Sequence, residues 1–418
     1  MTRMVGRVCK LALLGLAATC IASFPARAQL EQPTGPVNRP RPEYQPVGGR
    51  VGAFMIYPGF NVDAEYNDNI FASETAASDD LILRLRPQVR VEPLWRRHRL
   101  ALNAYLSQSL YARHGDENSL QGGIRVNGTL DVTRDSAVRA TLTYDALAQE
   151  RFDFGSIDEA RSPVRYHRLA GTFNYTHDLD PVRLHAETRV GLLDFQDVRA
   201  RSGAVIDQDF RDSLYLSLAG SVDYRISPGI SALGRITVDK LDFENHPGGN
   251  ALDRDSTGIK VEGGVYLELS RLIIGELRAG YLHRNSADSR LPDVTGLSFA
   301  ASLTWTITPL TTLRLYADRA IEEGGTEITA GNLRSQVQLS VEHELLRSLV
   351  LEGQARYAVI DPLGPLSIAR EYELTANATY YLSRRFRLFG SLRRIDRDSR
   401  SFADFEQNRI LIGVRAVF

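Results

Sequence analysis

Residues 81–92 have the sequence LILRLRPQVRVE, in which the odd positions carry Leu, Pro and Val and the even positions mainly Arg, Gln and Glu. This alternation has a period of two residues and is typical of a β-strand with one apolar and one polar face. The same alternation recurs in 138–145, 297–307 and 409–418. It predicts an all-β chain from about residue 57 onward.

The apolar parity of the predicted strands excludes charged residues. In nine segments, the 48 positions of that parity include no Asp, Glu, Lys or Arg, although the 24% charged content of the chain would place about 11 there. An Arg or Lys side chain that faces lipid at mid-bilayer costs roughly 2–4 kcal/mol. Soluble antiparallel sandwiches also alternate, but the strict exclusion favours a face that contacts hydrocarbon.

The connections between the predicted strands distinguish a barrel from a sandwich. We count about eighteen strands (16–18), each of roughly 12–16 residues, which is longer than the usual strand of a soluble sheet. Short turns alternate with longer polar stretches, as in barrels with short periplasmic turns and long extracellular loops. The prediction is a transmembrane up-and-down antiparallel β-barrel with both termini in the periplasm. Pro87 lies mid-strand and cannot donate to a ladder, so we expect a β-bulge there.

The first 28 residues have the three parts of a secretory signal peptide. Basic residues precede an apolar run at 11–21, and Ala26-Arg27-Ala28 supplies a small-x-small cleavage pattern. Both cysteines, Cys9 and Cys20, lie inside this segment, so the predicted mature chain has none. Lipidation at Cys20 is an alternative, but the residue before it fits a lipidation site poorly.

The remaining composition excludes several classes of function. Four of the 50 basic residues lie in the predicted signal, which leaves 46 basic against 51 acidic residues, a net charge of −5. No basic excess indicates nucleic-acid binding. No later run of 18 apolar residues predicts a transmembrane helix. Glu342-His343-Glu344 lacks the second histidine of a zinc helix, and we predict no cofactor, no metal and no catalytic residue.

Residues 29–56 form a predicted Pro-rich periplasmic tail that precedes the barrel of 57–418. Five prolines between 33 and 46 oppose regular pairing and favour extended conformations. Composition alone favours a disordered leader, and a docking segment is the alternative.

The polar parity of the strands would face the interior of a barrel. A barrel of sixteen to eighteen strands encloses water unless something fills it. The predicted pore-lining residues are Arg84, Arg86, Arg90, Arg125, Arg139, Arg183, Arg189, Arg235, Arg278, Arg314, Arg356, Arg387, Arg393 and Arg415. Rings of arginine line anion pores. Acidic residues share this parity, however, and ion pairs that only brace a wet wall are the favoured alternative.

The first two hairpins contain Tyr66-Asn67-Asp68-Asn69-Ile70-Phe71, then Ser78-Asp79, then Trp95-Arg96-Arg97-His98. These motifs resemble those of the putative β-barrel porin 2 family, and the resemblance covers roughly 57–418. It implies an outer-membrane barrel of the kind often associated with exopolysaccharide or capsule systems. Polysaccharide or periplasmic export components are the partners that it implies, and it implies no catalytic residue.

Three functions follow from these patterns. The first is a pore that conducts or exports hydrophilic solutes or exopolysaccharide, and hence no enzyme. The second is a structural or adhesive barrel, closed by the tail or by loops, that engages surface polymer or a periplasmic partner. The third, a barrel hydrolase, would need Ser213 or Ser217 beside His167 or His177. The terminal Phe418 resembles an assembly signal, which predicts contact with outer-membrane lipid and with the outer-membrane assembly machinery.

Overall fold

The computed structural model describes residues 35–95, 97–243, 252–270, 272–322, 326, 328–329, 331–402 and 404–418. The predicted signal peptide and the first six residues of the predicted tail lie outside the described residues. Within these ranges, helix is confined to the 3-10 turns Pro42–Tyr44, Gly115–Glu117 and Asp209–Arg211. None of the described helices is long and apolar enough to cross a membrane.

Eighteen long strands make up the wall in the described part of the chain. They are β1 Phe54–Asn67, β2 Asp80–Pro93, β3 Arg99–Tyr111, β4 Ser119–Asp131, β5 Ser136–Ala148, β6 Arg165–Leu179, β7 Val182–Phe195, β8 Ser213–Ser227, β9 Ile230–Phe243, β10 Ser256–Ser270, β11 Ile273–Ser286, β12 Val294–Thr308, β13 Thr311–Glu322, β14 Asn332–Leu346, β15 Leu349–Pro362, β16 Ala369–Tyr381, β17 Phe386–Asp398 and β18 Phe405–Val417. Two short hairpins pair Gly49–Val51 with 54–56 and Val198–Arg199 with Val205–Ile206.

Each long strand pairs antiparallel with the strands before and after it in the chain, and β1 pairs with β18 to close the ring. Closure gives each of the eighteen long strands a partner strand on both sides, which a membrane requires because lipid cannot satisfy a free N–H or C=O group. The predicted up-and-down barrel of eighteen strands is confirmed. Its first strand begins at Phe54, three residues before the predicted boundary.

The two ends of the barrel differ in the length of their connections. At one end the strands join through turns such as 180–181, 309–310 and 347–348. At the other end the connections are longer, for example 149–164 between β5 and β6. We call the first end periplasmic and the second extracellular, following the usual arrangement of such barrels.

The polarity of the two faces of the wall is the reverse of that in a soluble protein, where the apolar face of a sheet is buried. Outward side chains are apolar and exposed, as in Leu297 at 71% and Ile412 at 66%. Inward side chains are polar and covered, as in Asn61 at 1% and Asp63 at 2%. An apolar outer belt around a polar interior is the arrangement expected of a barrel in lipid.

The β-bulge expected at Pro87 is absent, and that prediction was wrong. The pairing of β1 with β2 runs without a register shift from 54 paired with 93 to 67 paired with 80. On the other side, β2 keeps one register with β3 but leaves 86 and 87 unpaired. A gap in the ladder therefore accommodates the missing N–H of Pro87 without an inserted residue.

Candidate functional site

The interior wall of the barrel carries the residues predicted to line a pore. Strand pairing places all fourteen predicted arginines on the inward face, together with the acidic residues of the same parity. The inward face therefore has mixed charge, and its chemistry depends on which arginines are neutralised.

Nine of the fourteen arginines form ion pairs with a carboxylate. Arg235 contacts Glu187 at 2.6 Å, and Arg356 lies between Glu371 at 2.6 Å and Glu373. The nine are Arg84, Arg90, Arg183, Arg189, Arg235, Arg278, Arg314, Arg356 and Arg393. Seven of these arginines pair across strands, whereas Arg90 and Arg189 pair with Glu92 and Glu187 of their own strands.

The other five arginines have no carboxylate within 4.0 Å among the described residues. They are Arg86, Arg125, Arg139, Arg387 and Arg415. Arg125 donates to Thr143 Oγ1 at 3.3 Å, and Arg415 donates to Asn61 Oδ1 at 3.2 Å. These side chains keep their positive charge available to the interior.

Two cavities adjoin along the inner face of β1 to β4. The periplasmic cavity, of about 620 Å³, is bordered by Tyr57, Arg387 and Arg415. The extracellular cavity, of about 320 Å³, is bordered by Glu65 and Arg151 among others. Arg86, Ser107 and Gln121 border both cavities, so the two spaces lie next to each other along the wall.

The connection between β5 and β6, which we call loop 149–164, folds into the extracellular half of the barrel. Arg151 donates to both carboxylate oxygens of Glu117, at 3.0 and 2.6 Å, and to the carbonyl oxygens of Ile157 and Ala160. Glu150 pairs with Arg409 on β18 at 2.9 Å. A buried bidentate pair and a contact with a distant strand hold this loop inside the wall.

Aromatic side chains also hold loop 149–164 against the wall. Phe152 packs against the inward side chains of Ile395 and Phe405. Phe154 makes an edge-on contact with Phe402 at 4.8 Å between ring centroids, and Arg397 lies 4.1 Å above its ring. The loop thereby crosses from β5 to β17 and β18 and narrows the lumen.

One carboxyl group of loop 149–164 has an altered proton affinity. Burial, and then the negative charge of Glu150, raise the pKa of Asp153 to about 6. Asp153 Oδ2 also accepts a hydrogen bond from the backbone N–H of Glu150 at 3.0 Å. The charge of this loop therefore changes within the physiological range of pH.

The described part of the tail lies against the inner rim of the periplasmic end. Val37 donates its backbone N–H to Glu342 Oε2 at 3.0 Å. Arg39 and Arg41 both contact Glu344 Oε2, at 3.1 and 2.9 Å. The Arg41 and Glu344 side chains are 3% and 4% exposed, so this pair is shielded from water.

The tail then follows the rim toward the first strand. Glu43 contacts Arg347 at 2.6 Å, and the ring of Tyr44 lies 5.4 Å from that of Tyr381. Pro46 borders the periplasmic cavity. From residue 35 onward, the expected disordered leader is replaced by a docked segment, because acidic side chains of β14 meet the arginines of the tail.

Comparison with known proteins identifies the barrel. The model of the family described as "Putative beta-barrel porin 2" matches residues 41–418. The chain belongs to this family. No curated protein matches the sequence. The closed barrel, its apolar belt and the family together make this chain a porin-like outer-membrane barrel.

The chain also matches solved structures of low sequence identity. The outer membrane protein OpdK from Pseudomonas aeruginosa is 11% identical, with 87% of this chain and 99% of that chain covered and a TM-score of 0.42. OccAB3 from Acinetobacter baumannii is 10% identical, with coverage of 88% and 100% and a TM-score of 0.44. The siderophore receptor PiuA from Acinetobacter baumannii is 9% identical, with coverage of 89% and 82% and a TM-score of 0.46.

The family motif of this barrel lies at its seam, the pairing of β1 with β18. Asp68 Oδ1 and Oδ2 accept hydrogen bonds from the backbone N–H and the side-chain amide of Asn408. Asn69 donates to the carbonyl oxygens of Ser73 and Glu406, and Gln407 donates to the Asn69 carbonyl oxygen. The motif thus stabilises closure of the ring.

The other motif residues point in different directions. Tyr66 is exposed on the outer face, whereas Asn67 is buried on the inner face. Ile70 donates its N–H to the Ser78 carbonyl oxygen, and Phe71 packs edge-on against His114. These contacts shape the first extracellular loop, and none of them indicates catalysis.

The serines and histidines considered for a hydrolase do not meet. Ser213 and Ser217 lie on the inward face of β8 and are buried. His167 and His177 lie on the outward parity of β6, where His167 contacts the Tyr144 hydroxyl at 3.0 Å. The wall separates the two sets, so these pairings cannot form a nucleophile and its base.

The last residue completes the seam at the periplasmic end. Phe418 donates its N–H to the Pro58 carbonyl oxygen at 2.9 Å, and its side chain is 49% exposed. It follows Val417, the last residue of β18, on the outward parity. Its role as an assembly signal stays a prediction.

Proposed function

We propose that this porin-like barrel conducts small hydrophilic solutes across the outer membrane of a Gram-negative bacterium, after export with a cleaved signal peptide. The observation that carries this proposal is that two neighbouring cavities, which share Arg86, Ser107 and Gln121, extend along the inner wall from the periplasmic into the extracellular half. Polar and charged side chains dominate these borders, and water-filled lumens of porins are likewise polar. In this proposal the protein acts as a channel and not as an enzyme.

The two inward segments favour small solutes over polymer. Loop 149–164 occupies the extracellular half, and residues 35–46 occupy the periplasmic rim. Export of exopolysaccharide, the other route predicted from the sequence, would require both segments to leave their contacts. A polymer partner or a periplasmic export component therefore enters the proposal only if the tail is released.

A barrel closed by its tail is the second candidate, and the shielded contact between Arg41 and Glu344 favours it. Such a barrel would serve a structural or adhesive role while the tail is docked. The two candidates differ in what passes through the isolated protein.

Osmotic swelling of proteoliposomes tests the proposal. We expect swelling in arabinose, slower swelling in sucrose and none in a long dextran, because the narrowed lumen excludes large solutes. Liposomes without protein serve as the control, and a protein that lacks residues 29–48 serves as the comparison. Swelling only after this deletion would support the closed barrel, and no swelling from either protein would contradict conduction.

A further inference from the structure

We propose that the periplasmic cavity binds a small organic anion that carries a carboxylate or phosphate group. This assignment deepens the proposed function, because it names the class of solute in transit. Occupancy of the cavity does not itself require conduction, so the two ideas can fail separately.

The first observation is a row of arginines across four neighbouring strands. Arg387 on β17 lies directly opposite Arg415 on β18. Arg415 is opposite Asn61 on β1, and Asn61 is opposite Arg86 on β2. We call Arg86, Arg387 and Arg415 the arginine row. Like charges at opposed positions of a sheet are destabilising, so this row requires a compensating partner.

The second observation is that the wall supplies no such partner. Among the described residues, no carboxylate lies within 4.0 Å of the arginine row. A second opposed pair, Arg393 and Arg409, lies nearer the extracellular end of the same two strands. There Glu373 contacts Arg393 at 2.7 Å and Glu150 contacts Arg409 at 2.9 Å. The protein neutralises the second pair from within and leaves the first to a ligand.

The acidic side chain at the next inward position of β1 does not fill this role. Asp63 lies two residues from Asn61 along β1, on the inward face, and is 2% exposed. It is not among the residues that border the periplasmic cavity. Three positive charges therefore outnumber one covered negative charge at this level of the wall.

The third observation is that the guanidinium groups are positioned and still have free donors. Arg387 lies 4.9 Å above the ring of Tyr381, and Arg415 uses its Nε to donate to Asn61. The terminal nitrogens of Arg415 donate to no described acceptor. A planar guanidinium binds carboxylate or phosphate through two parallel hydrogen bonds.

The cavity beside the row suits a small molecule. Its volume of about 620 Å³ lies within the range of small-ligand sites. Tyr57, with Arg90 4.6 Å above its ring, and Tyr105 add apolar surface and hydroxyl groups. Pro46 of the tail forms part of the border, so an anion in this cavity contacts the docked tail as well as the wall.

Equilibrium binding of succinate and of inorganic phosphate to the purified full-length barrel at low salt tests the assignment. We expect saturable binding of at least one probe, which identifies the preferred oxyanion. Arg387→Gln and Arg415→Gln should each weaken it by about tenfold or more, since each removes a charge-assisted contact. Arg139→Gln is the control. Arg139 is also an inward arginine without a carboxylate partner, but it does not border the cavity, so its substitution should change the affinity less than about twofold.

Two results would overturn the assignment. One is the absence of saturable binding in the unaltered protein, and the other is equal affinity in all three variants. If binding depends on the arginine row but the protein does not swell proteoliposomes, the anion site is supported and conduction is refuted. Heat-induced mobility shifts in gels report whether each variant has folded.

Discussion

Asp68 and Asn408 join the first and last strands of the barrel through two hydrogen bonds of 2.7 Å, although 340 residues separate them in the chain. The carboxylate of Asp68 accepts both bonds, and its N–H donates to the Asn408 carbonyl oxygen at 3.2 Å. Bringing together two strands that lie so far apart in the chain costs conformational entropy. Contacts concentrated at the seam offset that cost where the ring is completed.

Asp68→Ala should therefore lower the free energy of unfolding by about 1–3 kcal/mol, because it removes two hydrogen bonds to a charged group. Urea unfolding in lipid vesicles, followed by tryptophan fluorescence, measures this change. Asp116→Ala is the matched control, since its pair with Arg161 is 3.4 Å long and more than half exposed on both sides. A loss no larger than that of the control would contradict a stabilising role for the seam motif.

Glu344→Gln should release the tail from the periplasmic rim. The substitution removes the carboxylate shared by Arg39 and Arg41, and breaking a shielded ion pair costs about 3–5 kcal/mol. We expect a glutamate-specific endoproteinase to cleave after Glu43 at least about tenfold faster, because cleavage follows the population of the open form.

Glu352→Gln is the control for tail release. Glu352 lies opposite Glu342 on the neighbouring strand and accepts a hydrogen bond from Asn377, and it forms no hydrogen bond or ion pair with the described part of the tail. It should leave the cleavage rate unchanged. Equal acceleration by both substitutions would mean that the wall, and not the shared carboxylate, controls the tail.

Asp153→Asn should stabilise the barrel more at pH 7.5 than at pH 5. Burial and Glu150 raise the pKa of Asp153 to about 6, above its ordinary value of 3.8. The folded chain therefore binds this proton more tightly than the unfolded chain, and stability falls as the pH rises from about 4 through 6. Urea midpoints of both proteins at the two pH values measure the difference.

The exposed Asp158, in the same loop, provides the control for this pH effect. Asp158→Asn should shift the urea midpoint alike at both pH values. A gain from Asp153→Asn that is equal at pH 5 and pH 7.5 would show that Asp153 keeps an ordinary pKa.

Arg387→Gln should raise the free energy of unfolding by about 0.2–1 kcal/mol, because it removes the charge opposed to Arg415. Arg393→Gln should lower stability, since Arg393 forms an ion pair with Glu373 at 2.7 Å. Thermal unfolding of the two variants makes a matched comparison on one strand. A loss of stability in both would contradict the view that the arginine row is uncompensated in the empty protein.

The sequence predicted the wall because its information is local. Alternation in 81–92 or 409–418 fixes which side chain faces lipid, and a slip of one residue would turn every outward leucine inward. The inward placement of the arginines follows from the same parity. The prediction of a bulge at Pro87 was wrong because a missing N–H can also be accommodated by a gap in pairing, and such a gap depends on the neighbouring strand.

The segments inside the lumen could not be predicted in this way. The contact of Arg41 with Glu344 and that of Glu150 with Arg409 join residues that no periodic pattern connects. Composition predicted a disordered tail because prolines oppose regular pairing. Prolines do not, however, exclude docking on an acidic wall. Which arginines lack a carboxylate likewise emerges only when the strand register is known.

Single-channel conductance in planar bilayers tests the central claim most directly. The account predicts discrete open steps for the chain 29–418, and larger steps once residues 29–48 are deleted, because the tail narrows the periplasmic rim. A membrane that stays sealed at every voltage with both proteins would contradict a conducting lumen.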